Sequence, residues 1–463
     1  MHPLLAAADT PSIPIWFCRR DTIAGILAGL TREAQVWVAA NGFESAAGRH
    51  LLLPSGDGGL AGVLLGLEST DAPHRDVFLP AKLATLLPAG TYRFANAPHD
   101  LQGAVLGWLT GQYRYARYRK GEGRAVRLVL PEGVDGEAVS AMAEAVALGR
   151  DLIAAPANDL GPAELEEAIL TLAAKHGATA RSVVGEDLLA QNFPMVHAVG
   201  RASSRTPRLV EFSWGEETHP KVTLVGKGVV FDTGGLNIKP DASMLLMKKD
   251  MGGAASVLAC AAMIMQARLK LRLRVIIPAV ENAISGSAFR PGDVLQTRKG
   301  ITVEIGNTDA EGRLILGDAL ALADEEAPAL IVDMATLTGA ARVALGPELP
   351  ALFTKDEASA AALHRHGLAV GDPSWRLPLW PPYDNLLDSK IADVNHISGG
   401  AFAGSITAAL FLSRFVERAA AHVHLDMFCW NNLTKPGRPE GAEVMGARAV
   451  FSWLKERFGG GLP

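Results

Sequence analysis

The stretch Val225-Gly-Lys-Gly-Val-Val-Phe-Asp232-Thr-Gly-Gly follows the apolar run Val222-Thr-Leu, which predicts a buried strand leading into a glycine-rich loop. Further strands and helices alternate along the chain around this stretch. The predicted strands cover 222–225, 273–279, 329–333 and 422–426, and the predicted helices cover 253–267, 314–325 and 405–418. This alternation is typical of an α/β sheet with helices on both faces, in which functional sites gather at the carboxyl ends of strands.

The length of 463 residues predicts two or three domains rather than one. A strand is predicted at 126–131, where it ends at a proline, and apolar residues have helical spacing over 138–153. We therefore expect a smaller N-terminal α/β domain over 1–131 and a connecting helix over 132–154. A larger C-terminal α/β domain, with a central mixed sheet flanked by helices, is expected over 155–463.

Composition argues against several classes of protein. Hydrophobic residues make up 49% of the chain, enough for large buried cores, and the net charge of -5 argues against a dedicated nucleic-acid-binding protein. Cys18, Cys260 and Cys429 lack CxxC spacing and form no disulfide framework, which indicates a reducing compartment. The first residues carry no basic region, and the apolar run at 254–265 is too short to cross a bilayer. We expect a cytoplasmic protein that does not enter a membrane.

Four acidic residues lie among glycines and apolar residues. Asp232 and Asp250 belong to the first glycine-rich region, and Asp309 and Glu311 belong to the second, Asn307-Thr-Asp-Ala-Glu-Gly-Arg-Leu314. Charged side chains are rarely buried unless they are paired or bind metal. Four carboxylates brought together would repel one another, and some would keep their protons. Two divalent cations would cancel this charge, so the pattern predicts a metal site if the four side chains converge.

Each of these residues also has a purely structural explanation. Asp250 and Asp309 precede predicted helices and could cap them, and Glu311 could complement a helix dipole. Lys227 could be a solvated loop lysine or a phosphate contact. Because a lysine amine binds metal only after it has lost its proton, residue chemistry without further information does not predict Lys227 as a ligand.

Two further cations, Lys239 and Arg313, lie in the same regions. A hydrolytic site with two metal ions needs a group that stabilises the negative charge developing on the substrate oxygen, and Lys239 can supply such a point charge. Arg313 can hold a planar anion through two parallel hydrogen bonds. Alternatively, both residues neutralise the nearby carboxylates.

Three other enzyme classes lack their signatures in this chain. There is no HExxH pair of a zinc protease, and no serine has the GxSxG spacing of a hydrolase nucleophile. Gly226-Lys-Gly228 does not match the GxxxxGK motif of a nucleotide-binding phosphotransferase. The segment Tyr113-Arg-Tyr-Ala-Arg-Tyr-Arg-Lys120 interleaves basic and aromatic residues, so a DNA-binding architectural protein that uses the N-terminal domain stays open as the alternative function, although nucleic-acid binding is disfavoured.

The glycine-rich motifs together resemble those of the leucyl aminopeptidase family, also called the cytosol aminopeptidases. The resemblance covers the chain from about residue 151 onwards, and its implied function is a metal-dependent aminopeptidase that releases leucine-like, apolar residues from the N-terminus of peptides. It also implies a homohexamer, built as a dimer of trimers. The segments that carry the resemblance are Asn307-Thr-Asp-Ala-Glu-Gly-Arg-Leu314, 225–235, Lys248-Lys-Asp-Met-Gly-Gly-Ala-Ala255, 157–162 and 405–412.

The resemblance also implies roles for particular residues. Two divalent ions, zinc or manganese, are expected in each subunit. Lys239 would polarise the scissile carbonyl, and Arg313 would hold a bicarbonate ion as the general base. The implied ligands are Lys227, Asp232, Asp250 and Glu311 for one ion, and Asp232, Asp309 and Glu311 for the other. The implied substrate-binding residues are Met247, Thr336, Leu337 (through its carbonyl) and Gly339.

Overall fold

Residues 1–119 and 124–459 are described by a computed structural model, in which the chain separates into two units. The first unit comprises residues 1–147 and 433–440, and the second comprises the rest. The domain boundaries expected from the sequence stay a prediction. Across the described ranges, no helix combines the length and the apolar character needed to cross a membrane.

The first unit is built on one sheet with helices packed against it. Its strands are β1 (Leu5–Ala6), β2 (Ile13–Cys18), β3 (His50–Pro54), β4 (Leu60–Gly66), β5 (Gly90–Phe94) and β6 (Val126–Val129). They lie in the order β1-β6-β5-β2-β4-β3, with β3 antiparallel to β4 and the other neighbours parallel. Its helices are α1 (Ile23–Ala28), α2 (Arg32–Ala40), α3 (Lys82–Leu86) and α4 (Leu101–Thr110), with a 3₁₀ helix at Leu79–Ala81.

The core of the first unit is centred on Trp108 of α4. Its indole ring is fully buried against Tyr92 and Phe94, and its N–H donates a hydrogen bond of 2.9 Å to the carbonyl of Val126. Asp100 starts α4 by accepting a hydrogen bond from the backbone N–H of Gly103. These contacts fix the helix on the sheet through both apolar burial and one satisfied polar group.

The second unit contains a larger sheet and two small ones. Its strands are β7 (Thr179–Val184), β8 (Arg208–Trp214), β9 (Lys221–Gly226), β10 (Gly228–Asp232), β11 (Arg272–Asn282), β12 (Val294–Gln296), β13 (Thr302–Glu304), β14 (Leu330–Ala335), β15 (Ala351–Thr354), β16 (Trp375–Arg376), β17 (Val394–Asn395), β18 (His422–Asp426), β19 (Trp430–Asn431) and β20 (Gly441–Ala442). The large sheet has the order β16-β15-β18-β14-β9-β11-β8-β7, and β10 pairs with β11. Strands β12, β13 and β17 form one small sheet, and β19 pairs with β20.

The second unit contains ten helices among its described residues. They are α6 (Pro162–Lys175), α7 (Asp187–Ala190), α8 (Pro194–Gly200), α9 (Asp241–Met244), α10 (Gly252–Gln266), α11 (Glu311–Asp324), α12 (Gly339–Leu345), α13 (Glu357–Ala369), α14 (Gly404–Ser413) and α15 (Ala447–Phe458). Helix α5 (Gly136–Ala154) begins in the first unit and ends in the second. Further 3₁₀ helices lie at Met247–Met251, Thr308–Ala310 and Pro381–Leu387. Helices α10 and α11 are buried along almost their whole length, as expected for helices packed between a sheet and other helices.

The register of the large sheet determines where the two sequence motifs meet. Strands β9, β10, β11, β14 and β18 run parallel to their neighbours within this group, so their carboxyl ends lie at one edge. Asp232 at the end of β10 lies opposite Asn282 at the end of β11, and Ala335 lies opposite Asp426. Lys227 follows β9 directly. This edge is where an open α/β sheet places its functional site.

The predicted fold class is confirmed: a smaller N-terminal α/β unit precedes a larger one with a mixed sheet flanked by helices. One predicted helix is too long. The spacing predicts a helix over 405–418, whereas α14 ends at Ser413. The buried carboxylate of Asp324 accepts hydrogen bonds from the backbone N–H groups of Glu417, Arg418 and Ala419, and these bonds hold the chain out of a helical path.

Candidate active site

The five predicted ligand residues come from three separate segments at the edge of the large sheet. Lys227 directly precedes β10 and Asp232 is its last residue. Asp250 lies in the 3₁₀ helix Met247–Met251, and Asp309 and Glu311 lie where the 3₁₀ helix Thr308–Ala310 meets α11. Carboxylate oxygens of Asp232, Asp309 and Glu311 all lie within 4.8 Å of one another. The structure therefore brings together acids that are up to 79 positions apart in the sequence.

Lys227 links the fourth carboxylate to this cluster. Its Nζ lies 2.6 Å from Oδ2 of Asp250 and 3.0 Å from Oε1 of Glu311, and it donates a hydrogen bond of 2.9 Å to the carbonyl of Thr336. All three charged side chains are almost fully buried. Gly312 makes room for the lysine, because a Cβ at this position would lie 2.5 Å from Cε of Lys227. The glycine in the motif is thus required by packing.

Lys239 contacts the other side of the cluster. Its Nζ lies 2.8 Å from Oδ2 of Asp232 and 2.5 Å from Oδ1 of Asp309. The loop before it turns at Gly234, whose φ of +86° is rarely adopted by other residues. The backbone N–H of Gly234 donates to Oδ1 of Asp232 at 2.8 Å, which orients that carboxylate.

Burial and mutual repulsion make these carboxylates poor acids. Burial, reinforced by Asp250, raises the pKa of Asp232 to about 6, and burial together with Asp232 raises the pKa of Glu311 to about 8. Burial disfavours the charge of Lys227, but Asp250, Glu311 and Asp232 outweigh it and raise the pKa of this lysine above its usual value. The four carboxylates of the cluster outnumber its two lysines, so the cluster attracts further protons or cations.

The donor set also fits divalent metal ions. In the described part of the chain, Oδ2 of Asp250, Oδ1 of Asp309 and Oε1 of Glu311 are buried and make no hydrogen bond of normal geometry, although each faces a lysine in an ion pair. Buried polar atoms are normally satisfied, so these oxygens need another partner. Carboxylate oxygen is a ligand for zinc as well as for harder divalent cations.

Arg313 lies on the first turn of α11 with its guanidinium buried. Its Nη1 donates a hydrogen bond of 2.8 Å to the carbonyl of His396, and its Nε has no hydrogen-bond partner among the residues described. Burial lowers the pKa of Arg313 to about 10, against the opposing effect of Asp426 and Glu311. The arginine stays cationic at neutral pH and keeps one donor available for an anion.

A cavity of about 350 Å³ opens beside the charged cluster. Its wall includes Lys227, Asp232, Lys239, Asp250 and Asp309 from the predicted site, and all four predicted substrate-binding residues, Met247, Thr336, Leu337 and Gly339. A Cβ at Gly339 would meet no atom within 4 Å, so this side of the cavity is open. Arg313 and Glu311 are not among the residues that line it.

Several residues of the site are not predicted by the sequence. Asn282 donates hydrogen bonds to Oδ1 of Asp232 at 2.8 Å and to the carbonyl of Thr308 at 3.1 Å. His396 holds the carbonyl of Asn307 at 2.9 Å, and burial followed by the charge of Arg313 lowers its pKa to about 3. A buried polar residue at the end of an apolar strand is a signal that could have identified Asn282, whereas no local pattern distinguishes His396.

The cavity wall contains three more residues that the sequence analysis did not identify, Lys249, Arg342 and Phe428. Lys249 precedes the predicted ligand Asp250 in the chain, and burial lowers its pKa. Arg342 lies on α12, and Phe428 follows β18. Their proximity depends on the meeting of three distant segments.

Comparison with known proteins places this chain in one family. The family model for the cytosol aminopeptidase catalytic domain matches residues 147–451, and the model for the N-terminal domain of M17 aminopeptidases matches residues 13–131. A probable cytosol aminopeptidase of Roseiflexus castenholzii is 38% identical over 423 residues, which covers 85% of this chain and 86% of that protein. One from Xylella fastidiosa is 42% identical over 375 residues, covering 78% and 75%.

Solved structures agree with the sequence comparison. The cytosol aminopeptidase of Coxiella burnetii has a TM-score of 0.93 and 44% identity, and covers 98% of this chain and 99% of its own. The bottromycin maturation enzyme BotP in complex with Mn has a TM-score of 0.86 and 32% identity, covering 97% and 100%. The chain belongs to the cytosol aminopeptidase family and is a peptidase of the leucyl aminopeptidase type. The resemblance seen in the motifs is thereby confirmed, and the N-terminal match extends it to a region without a clear motif.

Proposed function

We propose that this aminopeptidase uses two divalent metal ions to release apolar N-terminal residues from peptides. The observation that carries the proposal is the meeting of Asp232, Asp250, Asp309 and Glu311 with Lys227 beside a cavity. The unsatisfied carboxylate oxygens and the raised pKa of Glu311 support a site that is completed by cations. BotP, a structural relative, is known in complex with Mn.

The proposed ligands are those that the sequence motifs imply. When bound, the ions would supply Lewis-acid activation of water and of the scissile carbonyl. One ion would be held by Lys227, Asp232, Asp250 and Glu311, and the other by Asp232, Asp309 and Glu311. Zinc and manganese both suit this donor set. The lysine amine would have to lose its proton on metal binding, so metal affinity would rise with pH.

Lys239 and Arg313 would act on charge rather than as ligands. Lys239 lines the cavity, and its ammonium would stabilise negative charge that develops on the carbonyl oxygen of the substrate. Arg313 would hold bicarbonate, the proposed general base, through its Nε–H group, which has no hydrogen-bond partner among the described residues. The main-chain carbonyl of His396 would orient Arg313, because it accepts the hydrogen bond that Nη1 of the arginine donates.

The cavity wall would select the N-terminal residue. Met247, Thr336 and Gly339 would line the side-chain pocket, and the carbonyl of Leu337 would face the peptide. Apolar atoms of Met247 and Phe428 favour leucine-like or methionine-like side chains. The open space at Gly339 would admit side chains of that length.

We also propose a cytoplasmic homohexamer, by resemblance to the family. Large apolar side chains of the second unit support contacts with other subunits: Leu245 is 80% exposed, Val343 84% and Phe402 86%. The free cysteines are buried and unpaired by disulfides, which suits a reducing compartment. The alternative function, a DNA-binding architectural protein that uses the N-terminal domain, stays a prediction; in the segment 113–119, Arg117 lies over the ring of Tyr118 and Tyr115 packs on the same ring. Lys120, the next residue, lies outside the described residues.

The proposal is tested by hydrolysis of leucine p-nitroanilide with manganese or zinc, before and after chelation. We expect activity that a chelator abolishes and added metal restores. Glu311→Gln should lose activity and bind less metal by mass spectrometry, whereas Glu325→Gln, an exposed change in an ion pair with Arg298, should keep both. Activity that is indifferent to chelation and to Glu311→Gln would contradict the two-metal proposal.

A further inference from the structure

Two cations of the cavity wall lie over the same aromatic ring. Nζ of Lys249 is 4.7 Å from the centroid of Phe428, and the guanidinium carbon of Arg342 is 4.8 Å from it. All three residues line the cavity beside the charged cluster. Two cations on one wall attract an anion into the cavity beside them.

Lys249 is the more informative of the two cations. Its side chain is 4% exposed, and within residues 1–119 and 124–459 its amine makes neither an ion pair nor a hydrogen bond. Lysine is rarely buried to this extent without a partner. The nearest acid in the chain, Asp250, is already engaged, because Oδ2 faces Lys227 and Oδ1 accepts a hydrogen bond from Thr336. The amine therefore retains donors that can turn to a ligand in the cavity.

Arg342 adds a permanent charge at a more exposed position. It lies on α12, three residues after Gly339, and no acidic side chain in the described parts of the chain forms an ion pair with its guanidinium. A guanidinium keeps its proton throughout the physiological pH range and binds carboxylates through two donors. The contact with Phe428 restrains the guanidinium, so part of the entropy cost of ordering this side chain is met before a ligand arrives.

We propose that Lys249 and Arg342, arranged on Phe428, form a carboxylate-binding subsite in the substrate cavity. The carboxylate would belong to the side chain of an N-terminal glutamate or aspartate, or to the C-terminus of a very short peptide. Phe428 and Met247 would pack on the methylene groups of the glutamate, in the same way as on leucine. The inference rests on the proposed aminopeptidase function and extends its substrate range from apolar to acidic residues.

The sharpest test compares substrates of equal shape and different charge. Hydrolysis of glutamate and glutamine p-nitroanilides is measured beside leucine p-nitroanilide, for the wild type, Lys249→Met and Arg342→Gln. We expect kcat/KM for glutamate to exceed that for glutamine in the wild type. Lys249→Met should reduce this ratio about 10- to 100-fold, as for loss of a hydrogen bond to a charged group. Because the ratio compares two substrates of the same variant, a general loss of activity cancels.

Two controls separate charge from position. Lys248→Met makes the same change one residue earlier, where the amine donates to the carbonyl of Ala154 and does not line the cavity, so it should leave the glutamate-to-glutamine ratio unchanged. Arg342→Lys keeps the charge and should restore part of the ratio lost in Arg342→Gln. If the glutamate-to-glutamine ratio of kcat/KM is the same in the wild type, Lys249→Met and Arg342→Gln, the subsite does not bind the carboxylate of the substrate side chain.

A separate measurement tests whether the carboxylate comes from the C-terminus of a short peptide. Leu-Gly and its C-terminal amide differ in the terminal charge, and preference for the free acid that Lys249→Met removes would assign the subsite to the peptide C-terminus. If neither the glutamate side chain nor the terminal carboxylate responds to the variants while leucine p-nitroanilide is cleaved, the subsite is refuted and the proposed function stands.

A binding measurement keeps the subsite testable without turnover. Calorimetric titration of L-glutamate and L-glutamine into the wild type and Lys249→Met should show tighter glutamate binding that the variant loses. Absence of leucine cleavage in every metal would refute the proposed function, and this titration would still decide whether the cavity binds a carboxylate. Equal affinity for both amino acids in the wild type would refute the subsite.

Discussion

Nδ2 of Asn282 lies 2.8 Å from Oδ1 of Asp232, across the paired ends of β11 and β10. The same amide group donates to the carbonyl of Thr308, which precedes the predicted ligand Asp309. Asn282 is fully buried and connects two of the three segments that carry the acids. Loss of a residue that orients a ligand in this way typically lowers metal affinity about 10- to 100-fold.

We therefore expect Asn282→Ala to weaken metal binding about 10- to 100-fold, because Asp232 and the Thr308 carbonyl lose their common donor. The measurement is titration of the metal-free protein with manganese or zinc. Asn158→Ala removes an exposed asparagine that bonds the neighbouring Asp159 and should bind metal normally. Unchanged affinity in Asn282→Ala would show that Asp232 holds its position without this bond.

Gly312→Ala should impair activity although it favours a helix. The new methyl group would lie 2.5 Å from Cε of Lys227, so the lysine must move away from Asp250 and Glu311. We expect a fall in kcat/KM of at least about tenfold, together with overpacking that costs about 1–3 kcal/mol of stability. The control is Gly286→Ala, where a Cβ meets nothing within 4 Å. Wild-type kinetics in Gly312→Ala would contradict the tight packing of Lys227.

Asp324→Ala should destabilise the second unit. Asp324 is the last residue of α11. Its carboxylate accepts hydrogen bonds of 2.8–2.9 Å from three consecutive backbone N–H groups, those of Glu417, Arg418 and Ala419. Loss of this acceptor leaves several donors unsatisfied, and we expect the free energy of unfolding to fall by about 2–3 kcal/mol in urea titrations. Glu325→Ala, at the exposed neighbouring position, should change it by much less.

The pH dependence of stability should reflect the buried carboxylate of Asp333. It contacts His424 at 2.6 Å and His422 at 2.7 Å. Burial opposes the charge of Asp333, but His424 and His422 outweigh it and lower its pKa to about 2. Burial likewise opposes the charge of His424, and Asp333 outweighs it and raises the pKa of this histidine above 6.5.

The sign follows from these two shifts. The stabilising effect of His424 is complete below pH 6.5 and is lost as the pH rises through its raised pKa, while that of Asp333 is lost only as the pH falls from about 4 towards 2. Asp333→Asn should therefore lose more unfolding free energy at pH 5.5 than at pH 9, measured by urea titration. Asp384→Asn, which removes a partly exposed ion pair with Arg414, should show little pH dependence. An equal loss at both pH values would contradict the coupling.

The sequence was sufficient to predict the α/β class, because strand and helix patterns depend on local spacing. The acids Asp232, Asp309 and Glu311 were expected to converge because they lie in short glycine-rich motifs, whereas Lys227 was implied as a ligand only by the resemblance of those motifs to the leucyl aminopeptidase family. The end of α14 could not be predicted in this way, because Asp324 that holds the following chain is about ninety positions away. Local propensity favours a longer helix, and a tertiary hydrogen bond overrides it.

The sequence determined which acids could share a site, whereas the tertiary structure determined which residues surround them. His396, Arg342 and Phe428 have no distinctive neighbours in the sequence, and although Lys249 adjoins Asp250 and Asn282 ends an apolar strand, nothing local shows what their side chains contact. Their positions arise because parallel strands bring their carboxyl ends to one edge of a sheet, where residues 50 to 108 positions apart, such as Asp232 and Asn282 or Gly226 and Met334, become neighbours. Burial at that edge then alters the pKa values and leaves the unsatisfied oxygens on which the proposed chemistry depends.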